Sequence, residues 1–149
     1  MRAVPFVRGL LLALVVLLLS GCGYNQIQGK DEAVKAGWSE VLNQYKRRAD
    51  LIPNLVATVK GYAGHEQQVL TAVTEARAKV SQITVNADDA ASLAQYQAAQ
   101  GELAQALGRL MMVTEAYPNL TADQQFLALQ AQLQRMVNRI TVARGRYIQ

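Results

Sequence analysis

From Val34 onward the apolar residues recur with the period of a helix and nowhere alternate. Trp38, Val41, Tyr45, Ile52, Leu55, Val59, Tyr62, Val69, Val73, Ala76 and Val80 fall on one face at steps of three, four or seven. That stripe leaves no room for a sheet and makes the chain all-α. Two of its positions are charged, Arg48 and Glu66. A buried charge without a partner is costly, so each is expected to meet an opposite charge or several hydrogen bonds. The candidates are Arg77, Arg139 and Arg144 for Glu66, and Glu115, Asp123 and Asp50 for Arg48.

Two breaks compete within the run. Pro53 lacks an N–H and disfavours a helical Ile52, so an unbroken helix would cost about 3 kcal/mol there. A fresh turn capped by Asp50, after Lys46, Arg47 and Arg48 close the previous one, relieves it. The expectation is a kink at Pro53 and a reversal near Gly61 to His65, with one long bent helix as the alternative. Ser81 to Asp89 reads as a loop in which Asn86 or Asp88 caps the next helix. That helix carries Leu93, Tyr96, Leu103, Leu107, Leu110 and Tyr117 and ends at Pro118-Asn119. Thr121-Ala122-Asp123-Gln124 has the form of a capping box, opening a last helix with Phe126, Leu129, Leu133, Val137, Ile140 and Tyr147 inward. Short loops between long amphipathic helices make neighbours antiparallel, so the expected architecture is an up-and-down helical bundle of four-helix type.

The N-terminus carries an address. Met1-Arg2 and Arg8 form a basic region, Leu10 to Leu19 an apolar one, and Ser20-Gly21-Cys22 follow. The apolar run spans only ~15 Å at about 1.5 Å per residue, against ~30 Å for a bilayer core. It reads as a signal helix rather than a membrane span. Leu19-Ser20-Gly21-Cys22 resembles a bacterial lipobox, which implies cleavage before Cys22 and lipidation of that cysteine. Two or more acyl chains hold a protein at a membrane where one does not. The expected division is a signal peptide over 1–21, a polar tether over 22–30 with Asp31 capping the first helix, and the helical domain over 31–149. Gly23, where an aspartate would favour the inner membrane, points to the outer one. A single cysteine excludes an internal disulfide, and no Cys/His cluster exists for a metal. Fifteen basic residues fall to thirteen once Arg2 and Arg8 are removed, against eleven acidic ones, a balance that does not argue for nucleic acid.

Several motifs together resemble the LemA family: Arg47-Arg48-Ala49-Asp50-Leu51-Ile52-Pro53-Asn54-Leu55-Val56, Val59-Lys60-Gly61-Tyr62-Ala63, His65-Glu66 and Val73-Thr74-Glu75-Ala76-Arg77. Further along come Glu115-Ala116-Tyr117-Pro118-Asn119-Leu120 and Asn138-Arg139-Ile140. The resemblance covers the chain from about Asp31. It implies an all-helical domain outside the cytoplasm, attached to a membrane by its N-terminus, and carries no assigned activity. Gln134-Arg135-Met136-Val137 stands where the family usually has small residues and a glutamate, and the chain ends at Ile148-Gln149 where the family continues.

No catalytic constellation stands out. His65-Glu66 lacks the second histidine of H-E-x-x-H, and adjacent helical residues point apart, so a structural pairing is the simpler role. None of the serines lies in a Gly-x-Ser-x-Gly setting. Arg47 and Arg48 suit lipid phosphates or an acidic partner, but a C-terminal helix cap plus one partly buried ion pair is the preferred account of them. The motif positions Arg47, Arg48, Asp50, Pro53, Asn54 and Glu66 are therefore read as structural or interaction residues, with no cofactor. Three functions follow: a non-enzymatic envelope lipoprotein that binds or scaffolds other envelope proteins, an enzyme with a polar site around His65, Glu66 and Asp50, or a lipid or small-molecule carrier. The first is preferred; the second needs those residues to converge, the third a continuous apolar cavity.

Overall fold

The computed structural model describes residues 4–148, and before Asn25 the side chains only of residues 8, 9, 11, 13 and 14. Every described element is a helix: α1 (Val4–Tyr62), α2 (Gln67–Gln82), α3 (Ala90–Thr114), the single-turn α4 (Pro118–Thr121) and α5 (Gln124–Ile148). The chain divides into two compact units, Met1–Gly37 and Trp38–Gln149.

In the first unit α1 runs past Gly29 and Asp31 without interruption, so the helix does not begin at Asp31 and the stretch 22–30 is helical. The reason is local. Beyond the first turn of α1, where Pro5 sits, Pro53 is its one proline, and Asp31 sits one turn before Lys35, whose Nζ lies 2.7 Å from its carboxylate. An acid placed four residues before a base supports a helix by about 0.2–0.5 kcal/mol. Among the described residues, no helix is long and apolar enough to cross a membrane.

The second unit holds the core. Trp38, Val41, Tyr45, Ile52, Leu55 and Val59 of α1 are buried with Leu70, Val73 and Val80 of α2 and Tyr96, Leu103, Leu107 and Leu110 of α3. Leu120 of α4 and Phe126, Leu129, Leu133 and Ile140 of α5 complete it. Full burial of such a side chain contributes about 1.5–3 kcal/mol, so a stripe of this length outweighs any single local defect. Two stripe positions escape: Tyr62 and Val137 are exposed.

That surplus explains why Pro53 does not end α1, which continues as helix to Tyr62. Proline cannot donate to the carbonyl four residues back, which leaves the Ala49 oxygen without its helical partner. Ala49 is buried, so water is a poor substitute. Instead Arg77, from α2, donates its Nε to the Ala49 carbonyl at 2.9 Å. The defect in one helix is satisfied by a side chain from the next. The reversal expected near Gly61 to His65 is present, between the end of α1 at Tyr62 and the start of α2 at Gln67. Gly64 serves it by size, since a Cβ there would sit 3.3 Å from the Lys60 carbonyl oxygen.

The remaining caps fall on neighbours of the residues the sequence suggested. Asp89, rather than Asn86 or Asp88, caps α3 by accepting the Ala91 N–H at 2.9 Å. Asn86 instead accepts from the Asp88 N–H at 3.1 Å and forms a turn before it. Pro118 does not close α3, which stops at Thr114, but opens α4 at its first turn, where a missing N–H costs nothing. Thr121 is consumed by α4, its hydroxyl bonded to the Pro118 carbonyl at 3.0 Å, so Asp123 caps α5 through the Phe126 N–H at 2.9 Å.

Candidate functional site

Arg48 lies on the inner face of α1 and is only 6% exposed. None of the expected acids reaches it. Its guanidinium donates to the side-chain oxygen of Gln100 on α3, with a second, longer contact of 3.4 Å to the Gln100 carbonyl. It also lies 5.4 Å from the centre of the Tyr45 ring, close enough for a cation–π attraction. Tyr45 in turn meets Tyr96 edge to face with ring centres 5.7 Å apart. The charge is thus met by an amide and one aromatic ring, and burial lowers the Arg48 pKa from its ordinary value. Arg48 Nε and the Gln100 amide nitrogen find no acceptor among the described residues. Gln100 was not foreseen: it falls on the apolar stripe of α3 between Tyr96 and Leu103, at steps of four and three, but an uncharged side chain there raises no demand for an opposite charge.

Arg48 forms part of the wall of a groove between α3 and α5. One stretch, about 430 Å³, is polar and apolar in about equal measure, its polar groups coming from Tyr45, Arg48, Gln97, Gln100, Thr141 and Arg144. It shares Arg48, Ala104 and Val137 with a second stretch of about 210 Å³, which is mainly apolar and adds Leu107, Met111 and Leu133. Gly101 and Gly108 form the α3 side, and a Cβ at either would meet nothing within 4 Å. Their absence of side chains keeps the groove open rather than relieving a clash.

The other motif residues are dispersed. Arg47 is exposed and lines a shallow cleft on the far side of α5 with Glu40, Asn138, Arg139 and Arg146. Pro53 and Asn54 face outward, and the Asn54 carbonyl accepts the Thr58 hydroxyl at 2.8 Å. Glu66 is half-buried and meets none of Arg77, Arg139 or Arg144. It accepts the Tyr117 hydroxyl at 3.0 Å, since Arg77 is turned to Ala49 and the two arginines lie on α5 lining the grooves. This bond raises the Tyr117 pKa. A matching bond joins the Tyr62 hydroxyl to Asp123 at 2.7 Å. It raises the phenol's pKa and, with the Phe126 N–H, lowers that of the carboxyl.

His65, Glu66 and Asp50 do not converge. Asp50 is exposed on α1, separated from the helix end at Tyr62 by ~18 Å at about 1.5 Å per residue. Asp50 instead borders a cleft with Lys46, Arg77 and Tyr96. No group of three or more His, Cys, Asp or Glu side chains that could hold a metal occurs among the described residues. The Cys22 side chain lies outside the described residues.

No curated protein matches the chain. The arginine–proline segment of α1, its Arg77 partner on α2 and the Tyr117-Pro118 turn all fall inside residues 37–149, the stretch matched by the profile of the LemA family, and the chain belongs to that family.

Proposed function

We propose that this chain is a lipid-anchored envelope protein, held on the extracytoplasmic side of a membrane, the outer membrane by preference, through Cys22 after removal of residues 1–21. Its helical domain, an antiparallel up-and-down four-helix bundle, is a non-enzymatic module that binds or scaffolds other envelope proteins. The observation that carries the anchoring is Leu19-Ser20-Gly21-Cys22, placed directly after a short apolar run and holding the chain's only cysteine. The short connections, residues 63–66 and 83–89 and the turns flanking α4, support antiparallel neighbours. The dispersal of Asp50 from His65 and Glu66 supports a binding rather than a catalytic role. The partners are the membrane, through the acyl chains, and envelope proteins not yet identified; neither nucleic acid nor a cofactor is invoked.

Two measurements test this reading. Cells fed radioactive palmitate should label the wild-type protein and not Cys22→Ala, and equal label in both would remove the anchor from the proposal. Crosslinking in intact cells, followed by mass spectrometry, should recover envelope proteins with the wild type that are lost from Cys22→Ala.

A further inference from the structure

The α3–α5 groove combines three features that packing alone does not require. Two buried side chains line it, Arg48 and Gln100, and each keeps one N–H without an acceptor, Arg48 Nε and Gln100 Nε2. A buried donor left without an acceptor is costly, and native structures satisfy nearly all of them. Arg144 adds a second guanidinium on the α5 side, and no carboxylate lines either stretch among the described residues. Two arginines and an amide with no acid nearby form the donor set of an oxyanion site, because guanidinium N–H groups pair with carboxylate or phosphate oxygens through charge-assisted bonds.

The third feature is the continuation of the same groove. Past Arg48 it is walled by Leu107, Met111 and Leu133, over the bare backbone of Gly108. A free inorganic ion would use only the polar end. The geometry points to a groove that binds an amphiphile: a carboxylate or phosphate head on Arg48, Gln100 and Arg144, with an alkyl chain lying along Gly101, Ala104 and Gly108. This function is separate from the anchor at Cys22 and stands or falls independently of it.

The test is calorimetric titration of the full chain in phosphatidylcholine nanodiscs, with empty discs subtracted, using acetate, octanoate, octyl phosphate and octylammonium. Octanoate and octyl phosphate should saturate at one per chain and bind at least tenfold more tightly than acetate, while octylammonium should not saturate. Gly101→Leu, which enters open space, and Arg48→Met should each weaken octanoate at least tenfold with the helical spectrum and melting midpoint retained. Arg144→Ala, at an exposed position, should weaken it without changing stability. Octylammonium binding as tightly as octanoate, octanoate binding untouched by Gly101→Leu, acetate matching octanoate, or no saturable binding by any of them would each overturn the proposal.

Discussion

At the scale of single residues, two arginines show how differently the same side chain is used. Arg77 repairs the hydrogen-bonding defect of Pro53 by donating to the Ala49 carbonyl. Arg77→Met should therefore cost about 1–3 kcal/mol, the range for stranding a buried acceptor. In a Pro53→Ala background the restored N–H can take the Ala49 oxygen, and the same Arg77 substitution should cost distinctly less. A denaturant double-mutant cycle measures this, and additive effects would show that the two residues are not coupled. Arg48 is the opposite case, a buried charge with no acid among the described residues. Replacing buried charges by apolar groups of similar volume is often neutral or stabilising. The denaturant midpoint of Arg48→Met should accordingly correspond to a stability within about 1 kcal/mol of wild type or above it. The ion-pair expectation from the stripe would instead have required a loss of ~3–5 kcal/mol.

At the scale of elements, two tyrosine–carboxylate bonds link the turns. Tyr62 at the end of α1 donates to Asp123 before α5, and Tyr117 before α4 donates to Glu66 before α2. The Tyr62 bond gives a pH signature at both extremes. Asp123 is depressed in the folded state, so its contribution is fully present above the unfolded carboxyl value and is lost as pH falls through the folded one. Tyr62 is raised, so its contribution is fully present below the unfolded phenol value and disappears as pH climbs through the folded one. Tyr62→Phe should lower stability most near neutrality, where both contributions are present, and approach wild type at either extreme, which flattens the profile at both ends. Thermal midpoints measured across the pH range decide this, and parallel profiles for variant and wild type would refute it. Across α2 and α3, by contrast, the Lys79–Glu102 pair at 2.7 Å joins side chains that are about half exposed and adds at most about 1 kcal/mol.

At the scale of the whole molecule, the unit Trp38–Gln149 is tied between the beginning of its α1 stretch and the end of α5. The Trp38 and Tyr147 rings lie 5.4 Å apart at 48°. An aromatic pair adds about 0.5–1.5 kcal/mol beyond its buried area. Tyr147→Ala should lower stability by at least that much and shift the emission of Trp38, the chain's only tryptophan, to the red. Fluorescence-monitored denaturant melts report both, and an unchanged spectrum would place the end of α5 outside the fold's cooperative unit.

Helical class, the identity of most core residues and the α1–α2 reversal were readable from residue order, because apolar periodicity and turn composition are local properties of a chain. Leu103, Leu110, Phe126 and Ile140 needed no structure to be placed inside. Cap positions slipped by a residue or more, at Asp89 and Asp123, since several neighbouring polar residues can each accept the same N–H. The fate of Pro53 was not readable. Locally it is a helix breaker, and only packing brings Arg77 to the Ala49 carbonyl. The partners of Arg48 and Glu66 were equally hidden, because a charge on an apolar stripe predicts a need without naming the donor or acceptor that meets it. Gln100 and Tyr117 meet part of that need here, across about fifty residues of chain in each case, and the open groove beside Arg48 exists only in the space between α3 and α5.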